Sequence, residues 1–230
     1  MYYIGFDIGS SSVKVAIVEI ATGKSIGVVQ EPETEMSMLA LKNGWAEQKP
    51  EEWWQHCCNA VAKIKKKHNI TRTQIKGIGI SYQMHGLVLV DAAGQPLRKS
   101  IIWCDSRAVE IGNEAFASIG NQKCNEHLLN SPGNFTASKL KWVKENEPEI
   151  YNQIHKFMLP GDYIAYKLSN VINTTISGLS EGIMWDFKND SFANFLFEHY
   201  GISNELVPDI VDTFSVQSKV DKKGAEESGL

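Results

Sequence analysis

Residues Gly5-Phe6-Asp7-Ile8-Gly9-Ser10-Ser11-Ser12-Val13-Lys14 set a turn of glycine and small hydroxyls between two apolar runs, Tyr2–Phe6 and Val13–Ile20. A strand, a tight turn and a second strand make a hairpin. Glycine and serine keep bulk away from the turn's backbone, so its N–H groups can cradle phosphate oxygens. Asp7 lies just before that cradle, where a carboxylate can hold a magnesium ion through water. The plainer alternative is a hairpin with one polar residue on its exposed face. An acid at the end of an apolar strand, directly before a glycine turn, needs a reason, which favours the phosphate reading.

The chain has 230 residues, enough for one large domain or two small ones, and 43% of them are hydrophobic. A net charge of −4 gives no general attraction to nucleic acid, and no basic stripe is present. The one basic cluster, Lys63 to Lys67, closes an amphipathic helix, where positive charge complements the helix dipole. No apolar run approaches the ~18 residues of a membrane span, and no charged segment followed by an apolar one opens the chain. Cys57, Cys58, Cys104 and Cys124 form no Cys-x-x-Cys pair and read as small buried residues in a reducing cytoplasm.

Three strands open the pattern: Tyr2–Phe6, Val13–Ile20 and Ser25–Gln30, with Ala21-Thr22-Gly23-Lys24 as a turn. A polar loop runs from Glu31 to Pro50. A helix then begins, with acids in its first turn after Pro50 and Trp53, Cys57, Val61 and Ile64 on one face, and ends at Asn69. Ile75–Tyr82 reads as a buried strand whose Gly77 and Gly79 admit a helix closely. Val88–Val90 is a further strand. Ile101–Cys104 is a short strand entering a helix at Asp105 or Ser106. Gly112 to Ile154 is mostly helical, Phe157–Leu159 is a strand, and helices follow on Pro160–Ile164 and near Phe192–Tyr200. A charged tail runs from Lys219 to Leu230. Antiparallel strands, a helix, then alternating strands and helices make an α/β fold with a mixed sheet.

Gln83-Met84-His85-Gly86 follows the strand that ends at Tyr82. Open α/β sheets bind ligands at the carboxyl ends of their strands. Sugars need fixed hydrogen-bonding groups around their hydroxyls and one flat apolar wall. Gln83 and His85 can supply the first, and Trp103 the second, with Asp105 and Arg107 alongside. Taken singly, each has a plain structural alternative: a satisfied histidine, a core tryptophan, an Asp105 that caps the next helix.

The hairpin turn resembles the first phosphate loop of the actin, hexokinase and heat-shock-chaperone ATPase superfamily, with Ser10 where threonine is usual. That resemblance implies a ribonuclease-H-like fold, with a mixed five-stranded sheet flanked by helices. The order of motifs along the chain then resembles the FGGY carbohydrate kinase family, and within it the xylulokinases. The shared stretches are Gln83-Met84-His85-Gly86, Trp103-Cys104-Asp105-Ser106-Arg107, Trp45-Ala46-Glu47-Gln48 with Pro50–Trp54, Gly133–Val143 and Met158–Tyr163.

The resemblance implies that residues 1–230 are the sugar-binding N-terminal domain of a cytoplasmic enzyme that phosphorylates a ketopentose, D-xylulose, with ATP and Mg2+. Gly9, Ser10, Ser11, Ser12 and Lys14 would hold phosphate, and Asp7 the metal. Gln83, Met84, His85, Trp103, Asp105 and Asn134 would line the sugar pocket. Glycerol kinases typically carry Arg-Glu where this chain has Met84-His85, which argues against glycerol. Family members run to about twice this length. Their second, nucleotide-binding domain and their catalytic base, an aspartate in a glycine-rich segment, would fall past Leu230. Asp221, in a lysine-rich setting, does not match that base. Thr175 stands where the family often has an acid, and Glu181 is left without an assigned role. The implied partners are a sugar and the second domain; a homodimer stays open, and neither nucleic acid nor membrane is expected. Another sugar or polyol (ribulose, rhamnulose, gluconate, glycerol) and a non-catalytic sugar-binding module stay open as alternatives.

Overall fold

The structure is a computed structural model and describes residues 1–230. Strands β1 (Tyr2–Ile8) and β2 (Val13–Glu19) form an antiparallel hairpin, and β3 (Ser25–Glu31) pairs beside β2. Ile4, Phe6 and Ile8 of β1 are buried while Tyr3 and Asp7 are exposed. That alternation is the period-2 geometry of a strand with one face on a core. Strand β4 (Glu47–Gln48) lies inside the stretch expected to be loop.

Helix α1 (Pro50–His68) starts on proline, carries Glu51 and Glu52 in its first turn and Lys65–Lys67 in its last, and ends at Asn69 in the left-handed conformation. Its Trp53, Cys57, Ala60, Val61 and Ile64 are buried against the hairpin sheet. Strand β5 (Ile75–Tyr82) then runs parallel to β1, giving the order β3-β2-β1-β5.

That is a sheet of four strands, not the five expected. The outer edge of β5 faces a cavity of about 1150 Å³ bounded by residues 213–220. The remaining strands are two or three residues long and pair with one another elsewhere. The glycines of β5 also serve differently from the expectation. A side chain at Gly77 would meet the Tyr3 ring, and one at Gly79 would meet open space, so neither glycine is needed to admit a helix.

The second half contains β6 (Val88–Val90), β7 (Ser100–Ile101), α2 (Val109–Ile119), α3 (Asn121–His127), α4 (Thr136–Asn146), α5 (Pro148–Tyr151) and β8 (Lys156–Met158). Then come α6 (Pro160–Ser169), β9 (Asn173–Thr175), α7 (Ile176–Glu181), β10 (Trp185–Asp186), β11 (Ser191–Phe192), α8 (Asn194–Tyr200), β12 (Asp209–Val211) and α9 (Lys222–Ser228). The antiparallel pair β6–β8 divides two cores. Val88, Val90 and Met158 belong to the core under the sheet, with α1 and α6. Leu87, Leu89 and Phe157 belong to a second core among α2, α4, α7 and α8. Alternation along β6 therefore sends neighbouring residues into different cores, and the carboxyl end of β5 lies where the two meet.

The end of the chain is not a loose polar tail. Asp221 caps α9 by accepting the Gly224 N–H, and Gly224 lets α9 lie directly against the Leu168 carbonyl of α6. Trp54 Nε1 donates to Glu227 at 2.7 Å, and Leu230 is buried. Cys104, expected to be buried, is exposed. No helix is long and apolar enough to cross a membrane.

Asp162, in the first turn of α6, is buried and accepts the Leu159 N–H at 3.2 Å. Burial pushes its carboxyl up to about 7 from 3.8, more than that N–H lowers it. The folded chain therefore holds a proton that the unfolded chain releases between about pH 4 and pH 7. Stability supplied by this group is full below the unfolded value and is lost as pH rises to the folded one. The thermal midpoint should fall across that window, and Asp162→Asn should flatten the fall. Parallel pH profiles for both proteins would refute the assignment.

Candidate active site

The turn between β1 and β2 is built to offer donors. Gly9 N–H donates to the Ser12 carbonyl at 3.0 Å, and a Cβ on Gly9 would press on that oxygen. Gln48 Nε2 donates to the Ser10 carbonyl at 2.6 Å, and Met36 N–H to the Ser11 carbonyl at 2.8 Å. Trp53 Nε1 holds Gln48 in turn, at 3.1 Å. All three serine carbonyls are thus occupied, while the N–H groups of Ser10, Ser11 and Ser12 have no partner within the chain. A loop with its acceptors tied down and its donors free suits an anion.

Asp7 is exposed beside the turn, with Lys14 Nζ at 3.9 Å. No three metal-ligating side chains come together anywhere in the chain. A magnesium ion at Asp7 would take one carboxylate from here and fill its other positions with water and phosphate oxygens, a common arrangement for that ion.

The candidate sugar residues converge next to this loop. Gln83 N–H donates to the Ile8 carbonyl at 2.7 Å, tying the chain after β5 to the end of β1. Met84 and Trp103 are large apolar side chains left about half exposed, at 53% and 48%. Trp103 Nε1 donates to Ser10 Oγ at 3.1 Å, so the candidate sugar wall touches the candidate phosphate loop directly. Gln83 is only 9% exposed, yet neither of its amide atoms has a partner. Buried polar groups are normally satisfied, so Gln83 is poised for a water or ligand contact. His85 sits at φ 60°, with its ring edge-on to Phe135 and its Nδ1 2.8 Å from Glu181 Oε1.

Asp105 does not line this pocket. It is fully buried, and its oxygens accept from Ala46 N–H at 2.6 Å, Arg107 N–H at 2.9 Å and the Arg107 guanidinium at 2.7–3.0 Å. Its acceptor capacity is spent on the protein. Nor does it cap a helix, because α2 begins only at Val109 and the strand ends at Ile101. Arg107 also meets Glu47 at 2.8 Å and lies 3.8 Å from the Trp45 ring centre. The Trp45–Gln48 and Trp103–Arg107 motifs are therefore two sides of one buried ion-pair network behind the pocket. Asn134 donates to the Asp105 carbonyl, with its Oδ1 buried and unpartnered.

Residues 2–230 match the family described as FGGY family of carbohydrate kinases, N-terminal domain. The chain belongs to the FGGY family of carbohydrate kinases. It is 32% identical to a xylulose kinase of Bacillus subtilis over its whole length and 33% identical to one of Escherichia coli over 90% of it. It spans less than half of those relatives, 45% and 41%. A crystal structure of a xyloylose kinase from Brucella ovis superposes with a TM-score of 0.88 at 28% identity, covering 96% of this chain and 46% of that one.

Two groups in this FGGY chain escaped the motif reading as functional residues. One is Glu181, on His85. The other is Lys139, fully buried in α4, whose Nζ donates to the His85 carbonyl at 2.7 Å and the Ile102 carbonyl at 3.0 Å. Burial pushes its ammonium down to about 8, with Asp105 and Glu181 pulling it back up. A signal existed: Lys139 is spaced to share a helix face with Thr136 and Val143, both buried.

Proposed function

We propose that this chain is the sugar-binding half of an ATP-dependent kinase that phosphorylates a ketopentose, D-xylulose, in the cytoplasm. The observation that carries the reading is the Trp103–Ser10 hydrogen bond. It places a half-exposed apolar wall, with His85 and Gln83 nearby, against a loop of free backbone donors. A sugar on that wall would hold a hydroxyl beside a phosphate on that loop, and phosphoryl transfer depends chiefly on such positioning and on charge neutralisation. Asp7 would hold Mg2+, which would neutralise charge on the transferring group. The hydroxyl proton would go to an aspartate in a second domain, which the relatives' greater length leaves room for. Closure of that domain would exclude water, which would otherwise consume ATP. The choice of D-xylulose rests on Met84-His85 and on the names of the relatives.

The test is ATP-dependent phosphorylation by the full-length protein across D-xylulose, ribulose, rhamnulose, gluconate and glycerol. The highest kcat/KM is expected on D-xylulose, and no turnover from residues 1–230 alone. A preference for glycerol or gluconate would overturn the substrate, and turnover by the short chain would overturn the division of labour.

A further inference from the structure

A lysine ammonium with no exposure, hydrogen-bonded to two carbonyls and to no carboxylate, is an expensive thing to keep. Charges are normally buried only when paired, and an apolar side chain of similar volume is often as stable or more so. What Lys139 touches gives the reason. Its two carbonyl partners belong to the two turns that carry the candidate sugar groups: His85 itself, and Ile102, the residue before Trp103. The backbone bond from Leu87 N–H to the Ile101 carbonyl, at 2.9 Å, sets those turns side by side, and Lys139 bridges a carbonyl from each.

Glu181, the last residue of α7, grips the same histidine from the other side. Its carboxylate accepts the His85 backbone N–H and lies 2.8 Å from Nδ1. His85 is thus held at its N–H, its C=O and its ring by side chains from two helices. Its backbone has φ 60°, a conformation that costs a bulky residue energy and persists only when its surroundings impose it. A carboxylate at Nδ1 sets the ring tautomer, placing the proton on Nδ1 and leaving Nε2 as the acceptor.

We infer that Lys139 and Glu181 are positioning residues, which together hold His85 in its left-handed conformation with Nε2 offered to a donor hydroxyl of the sugar. The inference rests on the reading of His85 as a sugar ligand. Neither residue touches the sugar; both act through His85, and Lys139 steadies the Trp103 wall as well.

The experiment is a double-mutant cycle on D-xylulose affinity, measured by calorimetry on the full-length protein. The proteins are wild type, His85→Ala, Glu181→Ala, Lys139→Met, Glu181→Gln and the double variant His85→Ala/Glu181→Ala. Residues acting through one another typically couple strongly enough that Glu181→Ala alone should weaken binding by about 2- to 150-fold. The same change should cost almost nothing further once His85 is alanine. Glu181→Gln keeps an acceptor for Nδ1 and should retain most of the affinity. Lys139→Met should weaken binding as well. Because Glu181 is partly exposed, its variants decide the matter even if Lys139→Met does not fold. Additive losses, or unchanged affinity in Glu181→Ala while His85→Ala is weakened, would overturn the inference and leave the sugar site standing. Unchanged affinity in His85→Ala would take down both.

Discussion

Asp7→Ala in the full-length protein is expected to abolish phosphoryl transfer while leaving sugar affinity intact. The carboxylate is exposed on the face of β1 turned away from the core, and its one charged neighbour is Lys14 at 3.9 Å. An exposed pair of that kind contributes roughly 0–1 kcal/mol to stability, so the variant should fold normally. Its expected role is to fix a metal beside the donor loop of Ser10–Ser12, where charge develops during transfer. Removing one such stabilising group typically costs about 10²–10³-fold in kcat, and losing the metal with it should cost more. The sugar groups lie across the turn and make no contact with Asp7, so D-xylulose should still bind. Near-normal turnover would reduce the loop to a simple hairpin. Weakened sugar affinity with an unchanged kcat would move the sugar to the wrong side of Ser10.

Asp105→Ala should behave in the opposite way, losing stability first. Asp105 and Arg107 are essentially unexposed, and the carboxylate satisfies the Ala46 N–H and three guanidinium contacts. Deleting one partner of a buried ion pair typically costs about 3–5 kcal/mol. At about 2–4 °C per kcal/mol for a chain of this size, the midpoint should drop by about 6–20 °C. Arg107 would keep Glu47, and Arg98 bonds to Glu47 and to Glu147, so the network should loosen before it collapses. If Asp105 instead bound sugar at the surface, the midpoint would stay put and affinity alone would fall.

The contrast between these two acids shows what was legible in the sequence. Asp7 could be placed from its neighbours alone, because a hairpin is local and strand alternation says which face each residue takes. Helix α1 was readable for the same reason, through Pro50, its acidic first turn and its lysine-rich end. Asp105 was misread because its burial is set from afar: Arg107 is two residues away, but Ala46, which closes over the pair, lies 59 residues away, and nothing local separates a pocket acid from a buried one. The missing fifth strand has a similar origin, since a short run of β-formers does not say which edge it joins. The closing helix α9 looked like a tail because its residues are mostly polar. It is held by the close approach at Gly224 and by the bond to Trp54, which spans 173 positions. Lys139 was visible as a charge on an apolar face, but its purpose appears only once the His85 and Ile102 carbonyls are seen together.

The central claim is that a ketose binds where His85 and Trp103 meet the phosphate loop, and titrating D-xylulose against His85→Ala and Trp103→Ala tests it most directly. Calorimetry on the full-length protein reads affinity independently of turnover. A buried sugar hydrogen bond is worth about 0.5–1.5 kcal/mol net, and more where a charged group is left unpaired, so His85→Ala should weaken binding by roughly 2- to 100-fold. Trp103→Ala should weaken it through the lost apolar wall. Trp103→Ala should keep a thermal midpoint close to wild type, because Trp103 is half exposed. Unchanged affinity in both would place the sugar elsewhere and remove the basis for choosing D-xylulose.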